Sequence, residues 1–256
     1  MAATLLYNRN NLSQLPFGTA AMDPQVLQKD MDDAFQADPA LGWCLNRGTA
    51  PNVKHVRQCR SWDCGLACIQ MVARLRNDAL TFKEISKLCG NITSIWTVHL
   101  SSVLLQRNIA HAIVTTCAGV NQDLESLSFY QDHIEQEKND VLRLFNTSIN
   151  NGIRIIESGY SGVNFKHLLL TRRVVLIMLV DNRGLRCTDC GCMKRNWFSC
   201  GFTGHYVLVQ GYDEEREAFV YHDPADRVQK CWMTLLQFDQ CRLVKGTDED
   251  VVVVPY

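Results

Sequence analysis

The chain has 256 residues, 46% of them hydrophobic and 21% charged, the make-up of a soluble globular protein large enough to bury a core. Its formal net charge is -1, with lysines and arginines scattered rather than run together. That excludes a basic track for phosphates, so neither nucleic acid nor an acidic membrane surface is an expected partner.

The opening MAATLLYNRNNLSQLPFG lacks a basic segment followed by a sustained apolar run, so no secretory signal is read there. Residues 1–50 are expected to be a partly disordered extension holding a short helix near Asp23, and 51–256 a single domain. After Cys64, GLACIQMVARLR reads as a buried helix. TFKEISKLC follows, with Thr81 as N-cap and Glu84 three residues on completing a capping box. WTVHLSSVLLQRN is a third helix, leading to the strand-like AHAIVTT at 110–116. A charged helical stretch starting at Gln131 stops at Asn150-Asn151-Gly152, and Asn164–Leu170 is a short helix.

The longest apolar run, Val174–Val180, is too short to cross a bilayer and reads as a buried strand. The C-terminal third is mostly β, at 205–213, 218–223 and 251–255, with a hairpin turn over Asp213–Arg216. Helices first and an antiparallel sheet afterwards give an α+β fold. An intracellular, cytoplasmic or nuclear, location is expected. Thiols stay reduced there, so the 12 cysteines point to catalysis, metal binding or buried thiols more than to disulfides.

The densest chemistry lies in QCRSWDCGLAC, Gln58 to Cys68. Cys64 stands where a loop enters a helix, and the N–H groups and dipole of a helix start favour a thiolate. Gly65 beside it would let a substrate carbonyl approach. Cys59 and Cys68 lack this placement. A thiolate catalyst needs a histidine, and His205 opens the apolar strand HYVLVQGY. In a hairpin the end of the second strand lies beside the start of the first. That brings Asp223 near His205 as the carboxylate orienting the imidazole. Asp213 and Asp226 are alternatives to Asp223, and His222 replaces His205 if the register slips by one. Gln58 can offer its amide N–H to an oxyanion.

A second cluster, Cys187, Cys190, Cys192 and Cys200, begins with the C-x2-C spacing of a zinc knuckle. Structural zinc, plain thiols and redox chemistry all stay open for it.

The Gln58…Asp63-Cys64-Gly65 segment, the GHYVLVQGY strand and Asp223-Pro224-Ala225 together resemble the papain-like peptidases that remove double-glycine leaders in bacterial export. The resemblance covers roughly residues 53–230 and implies Cys64, His205 and Asp223 as the catalytic set and Gln58 as the oxyanion donor. WDCGLAC, SIWTVHL, the cysteine-rich segment and GTDEDVVVV resemble more closely the eukaryotic guanylyl cyclase domain-containing family. That name implies conversion of GTP to cyclic GMP with a divalent ion. Yet no Gly-rich phosphate loop and no equivalent of the paired metal-binding aspartates of nucleotide cyclases is recognisable.

The resulting expectation is a papain-like α+β domain hydrolysing a peptide or isopeptide bond of a peptide or protein substrate, with no cofactor required. A guanylyl cyclase and a non-enzymatic adaptor retaining the fold are the alternatives.

Overall fold

The computed structural model describes Lys29 and residues 50–121, 134–190, 201–227 and 229–256. Apart from Lys29 and Ala50, the expected N-terminal extension lies outside these residues, as do Cys192 and Cys200.

Helix α1, Cys64–Leu75, is buried continuously from Cys64 to Ala73. A helix apolar on every side must be central, and α1 is enclosed by α2 (Phe82–Leu88), α3 (Thr97–Gln106) and the sheet. Helix α2 starts as its sequence dictates: Glu84 N donates to Thr81 Oγ1, and Thr81 N donates to Glu84 Oε2 at 2.8 Å.

The strands are β1 (Ala112–Thr115), β2 (Arg154–Glu157), β3 (Val174–Asp181), β4 (Gly204–Asp213), β5 (Ala218–His222), β6 (Cys231–Thr234) and β7 (Val251–Pro255). They form one seven-stranded sheet in the order β2-β1-β7-β3-β4-β5-β6. The remaining helices are α4 (Ile134–Asn150), α5 (Gly162–Leu170) and α6 (Leu235–Arg242).

The α+β class holds, with one departure from expectation. The sheet is mixed, because β1 and β2 pair in parallel, Ala112 opposite Arg154. Parallel neighbours need a long crossover, and α4 lies within it. Helices from the later part of the chain also pack on the sheet, so both of its faces are covered. Leu66, Ile69 and Leu100 from α1 and α3 pack on Val175, Ile177, Leu179, Tyr206 and Leu208. Phe165, Leu168 and Phe238 from α5 and α6 pack on Leu176, Met178, Val180, Val207 and Val209. That double cover is why β3 is apolar at nearly every position instead of alternating. Among the described residues, no helix is long and apolar enough to cross a membrane.

The core carries a titration signature. His111 Nδ1 donates to the Ile109 carbonyl at 2.8 Å, so Nε2 is the acceptor for the Ser101 hydroxyl at 2.6 Å. Burial pushes this imidazole down from 6.5 to about 4, only partly offset by the Ile109 carbonyl. The folded value lies below the unfolded one, so the unfolded chain holds the extra proton between about pH 6.5 and 4. Stability therefore falls as pH falls through that window, by about 3 kcal/mol from this residue. Denaturant unfolding of the protein and of His111→Asn across that range is expected to show a shallower acid loss in the variant.

Candidate active site

The loop before α1 leaves the helix start uncapped. Asp63 occupies the N-cap position, yet its Oδ1 accepts the Arg60 N–H at 2.9 Å and makes no side-chain cap. The first N–H groups of α1 are thus not consumed by a carboxylate. Cys64 follows directly, and its Sγ accepts the Tyr206 amide N–H at 3.4 Å.

Burial pushes the Cys64 thiol up, more than the N–H groups of Tyr206, Gly65 and Cys64 pull it down, and the Asp63 carboxylate adds to the rise. The expectation of a thiol lowered by the helix start therefore reverses: enclosure outweighs the dipole, and the resting sulfur is protonated. Gly65 has a packing role. A Cβ there would meet Leu100 Cδ2 at 3.0 Å and Tyr206 Cδ2 at 3.2 Å, so glycine lets α1 close onto α3 and β4.

His205 enters at the start of β4 and Asp223 just past the end of β5. His205 Nε2 and Asp223 Oδ1 are 2.7 Å apart, and both side chains are buried. Asp223 Oδ1 also accepts the Ala225 N–H at 2.9 Å, which fixes the carboxylate. Because Sγ of Cys64 accepts the amide of Tyr206, the sulfur sits at the peptide joining His205 to Tyr206.

A β-bulge at Gln210 decides which residue accompanies His205. Strand β4 pairs Gly211 with Val220 but Val209 with Tyr221 and Leu208 with His222. Continued unbulged from Gly211, the ladder would place His222 opposite Val209, on His205's side of the sheet. The extra residue shifts the ladder by one and gives that side to Asp223. His222 is turned away, its Nε2 2.6 Å from Gln210 Oε1 and its ring stacked on His55. Mainly burial, with the charges of His55 and Lys230, pushes His222 down to about 4. The other two aspartates are used in turns. Asp213 accepts Glu215 N and Arg216 N, both at 3.1 Å, and Asp226 accepts Arg227 N at 2.6 Å.

Gln58 is tied to the same corner, its backbone N–H donating to the Pro224 carbonyl at 2.9 Å. Its Nε2 donates to Arg60 O at 2.6 Å, and its Oε1 is buried without a hydrogen-bond partner.

Cys64 lines a cleft of about 320 Å³ whose walls include Trp62, Ile95, Trp96 and Leu179. His205 is not among the lining residues. Two carboxylates that sequence reasoning missed, Asp248 and Asp250, also face the cleft. Their only sequence signal is the acidic run before VVVV, which looks like an ordinary solvated turn. Burial pushes Asp250 up to about 7, although hydrogen bonds with Thr97 and Thr115 work against it. Asp248 and Glu249 have left-handed backbones, with φ of 46° and 55°. Arg242 braces this turn from behind, donating to Glu249 Oε2 at 3.0 Å and Asp239 Oδ1 at 2.8 Å.

The second cysteine cluster is altered. Cys187 and Cys190 come together with Cys231, their ligand atoms all within 4.8 Å of one another, an arrangement that can hold a metal. Cys231 was missed because 41 positions separate it from Cys190. The other two expected ligands, Cys192 and Cys200, lie outside the described residues.

Comparison with known proteins adds three findings. The family described as guanylylate cyclase matches residues 53–254. Guanylyl cyclase 1 of Arabidopsis thaliana is 32% identical over 216 residues, which cover 79% of this chain and 75% of that protein. Two peptidases resemble the fold at low sequence identity. The peptidase domain of Streptococcus ComA, a bifunctional ABC transporter, shows 12% identity and a TM-score of 0.40, covering 80% of this chain and 100% of that one. A putative C39-like peptidase from Bacillus anthracis shows 9% identity and a TM-score of 0.44, covering 80% and 96%.

Proposed function

The chain belongs to the guanylylate cyclase family, and we propose that within it this protein acts as a cysteine-dependent hydrolase of peptide or isopeptide bonds. One observation carries the proposal: a cysteine at an uncapped helix start lies against the peptide of a histidine that is itself paired, at 2.7 Å, with a buried aspartate. A merely structural thiol has no need of that company.

With the resting thiol protonated, His205 takes the Sγ proton as sulfur attacks the acyl carbon. Nε2–H donates to Asp223, which leaves Nδ1 as the basic nitrogen and favours the imidazolium once formed. The Cys64 amide N–H and the second N–H of Gln58 Nε2 receive the developing oxyanion, since one amide proton is already committed to Arg60. His205 then protonates the departing amine, and water cleaves the thioester by the reverse proton path. No metal enters these steps. The apolar walls of the cleft and the Asp248 side chain suit a peptide segment carrying a cationic group.

The second reading is the cyclase of the family's name. It draws on Asp248 and Asp250, the paired carboxylates of the same cleft. They fit a divalent ion poorly. Asp250 keeps its proton up to about pH 7, and Asp248 Oδ1 already accepts from Asn121 at 2.8 Å. No lysine or arginine among the described lining residues would meet a triphosphate.

Purified protein and Cys64→Ala, assayed side by side on a quenched peptide library and on GTP with magnesium or manganese, separate the two. Peptide cleavage is expected to fall by about 10³-fold or more in the variant. Cyclic GMP formation that is robust and equal in both proteins, without peptide cleavage, would overturn the hydrolase.

A further inference from the structure

We propose that Cys187, Cys190 and Cys231 bind a structural zinc ion through their three thiolates, pinning the β3–β4 connection to the edge strand β6. This is independent of the hydrolase, since none of the three lines the Cys64 cleft.

The local geometry is that of a site built for a thiolate. Three backbone N–H groups converge on Cys187 Sγ, from Asp189, Cys190 and Trp232, each at 3.4 Å. Donation from residues two and three positions after a C-x2-C cysteine is what a metal knuckle supplies to a bound sulfur. The third donor comes from β6, next to Cys231, so the loop is already set against the strand that brings the third ligand. Thr188 N donates to Trp232 O at 2.9 Å and tightens the same junction.

Arg216 adds positive charge, ion-paired with Asp189 and stacked over the Trp232 ring at 4.4 Å.

The spacing suits zinc. Tetrahedral coordination with Zn–S near 2.3 Å requires sulfurs about 3.8 Å apart. The three sulfurs lie within 4.8 Å of one another, so a closure of about 1 Å completes the set. Binding releases the thiol protons to solvent. Water completes the fourth position.

The consequence is mechanical. Cys231 pairs with Tyr221 on β5, two residues before Asp223, and Cys187 lies in the connection that delivers His205. One ion would therefore brace both strands that carry the His205–Asp223 pair.

The test uses the full chain, purified under reducing conditions without chelator. Elemental analysis is expected to give about one zinc per chain. Cobalt loaded in its place should produce a thiolate-to-cobalt charge-transfer band with the intensity of at least three sulfurs. Cys231→Ser should weaken zinc binding by about 100-fold or more. Should that core variant fail to fold, Cys190→Ser should lower the cobalt band by one sulfur's share. In the unaltered chain, zinc should shield Cys187, Cys190 and Cys231 from alkylation until a chelator is added.

A chain that binds neither zinc nor cobalt, or binds either undiminished in Cys231→Ser and Cys190→Ser, overturns the site. So does a disulfide between any two of the three in freshly isolated protein.

Discussion

Alanine in place of His205 is expected to slow alkylation of Cys64 at pH 7 by about 10²–10⁴-fold. The sulfur is enclosed and its thiol is pushed up by burial, so little thiolate exists unless a neighbouring base takes the proton. In the variant only direct ionisation remains. Its labelling rate should then climb about tenfold per pH unit through neutrality, toward the raised value of the thiol. The unaltered protein should show a flatter profile, because His205 supplies the base locally. Asp223→Asn should fall between them, since the imidazole persists but loses the carboxylate 2.7 Å from Nε2. His222→Ala is the control. That ring is committed to Gln210 and His55, and its loss should leave the Cys64 rate within a few-fold. The readout is the rate of iodoacetamide adduct formation at each cysteine by peptide mass spectrometry. Equal rates and slopes in His205→Ala and the unaltered protein would remove His205 from the base role.

Arg242→Met is expected to destabilise the protein by about 3–5 kcal/mol, lowering the melting temperature by roughly 10 °C. Arg242 is fully buried at the end of α6, with its guanidinium shared among Glu249, Asp239 and the Tyr160 carbonyl. Methionine keeps much of the volume against Phe165 and Phe238 but leaves two carboxylates without their cation. Glu249 is already pushed up by burial, with Arg242 the principal force holding it down. Losing that force frees a turn in which Asp248 and Glu249 both hold left-handed backbones, conformations that cost energy outside glycine. The same turn carries Asp248 and Asp250 into the cleft, so ligand binding should weaken along with stability. Chemical denaturation of both proteins measures the effect. A loss below about 1 kcal/mol would show that the turn does not depend on this brace.

What the sequence made legible follows its periodicities and short-range chemistry. The Thr81–Glu84 capping box, the buried helix after Cys64 and the hairpin at Asp213–Arg216 are all local, and all three formed where expected. Strand β2 was not legible, because four half-exposed residues, RIIE, carry no clear alternation and gain their strand only from β1. The helical layer of α5 and α6 was likewise hidden, since periodicity does not say which face of a sheet a helix will cover.

At the site, the juxtaposition of His205 and Asp223 could be argued from hairpin geometry, but the register that turns His222 away could not. It depends on the single extra residue at Gln210, for which Gly211 is the only sequence hint. The direction of the Cys64 shift was misjudged for a related reason. A helix start is visible in sequence, whereas the enclosure supplied by Leu100 and Tyr206 from distant segments is not. Cys231, Asp248 and Asp250 join their clusters through long-range contacts alone.

The most direct measurement is site-resolved labelling of the unaltered protein by a limiting amount of a peptide vinyl sulfone. Exposure and activation make opposite forecasts here, since Cys59 is exposed and Cys64 is 6% exposed. The proposed triad predicts adduct at Cys64 first, ahead of Cys59 five residues away. Adduct that follows exposure, with Cys59 modified and Cys64 spared, would contradict it.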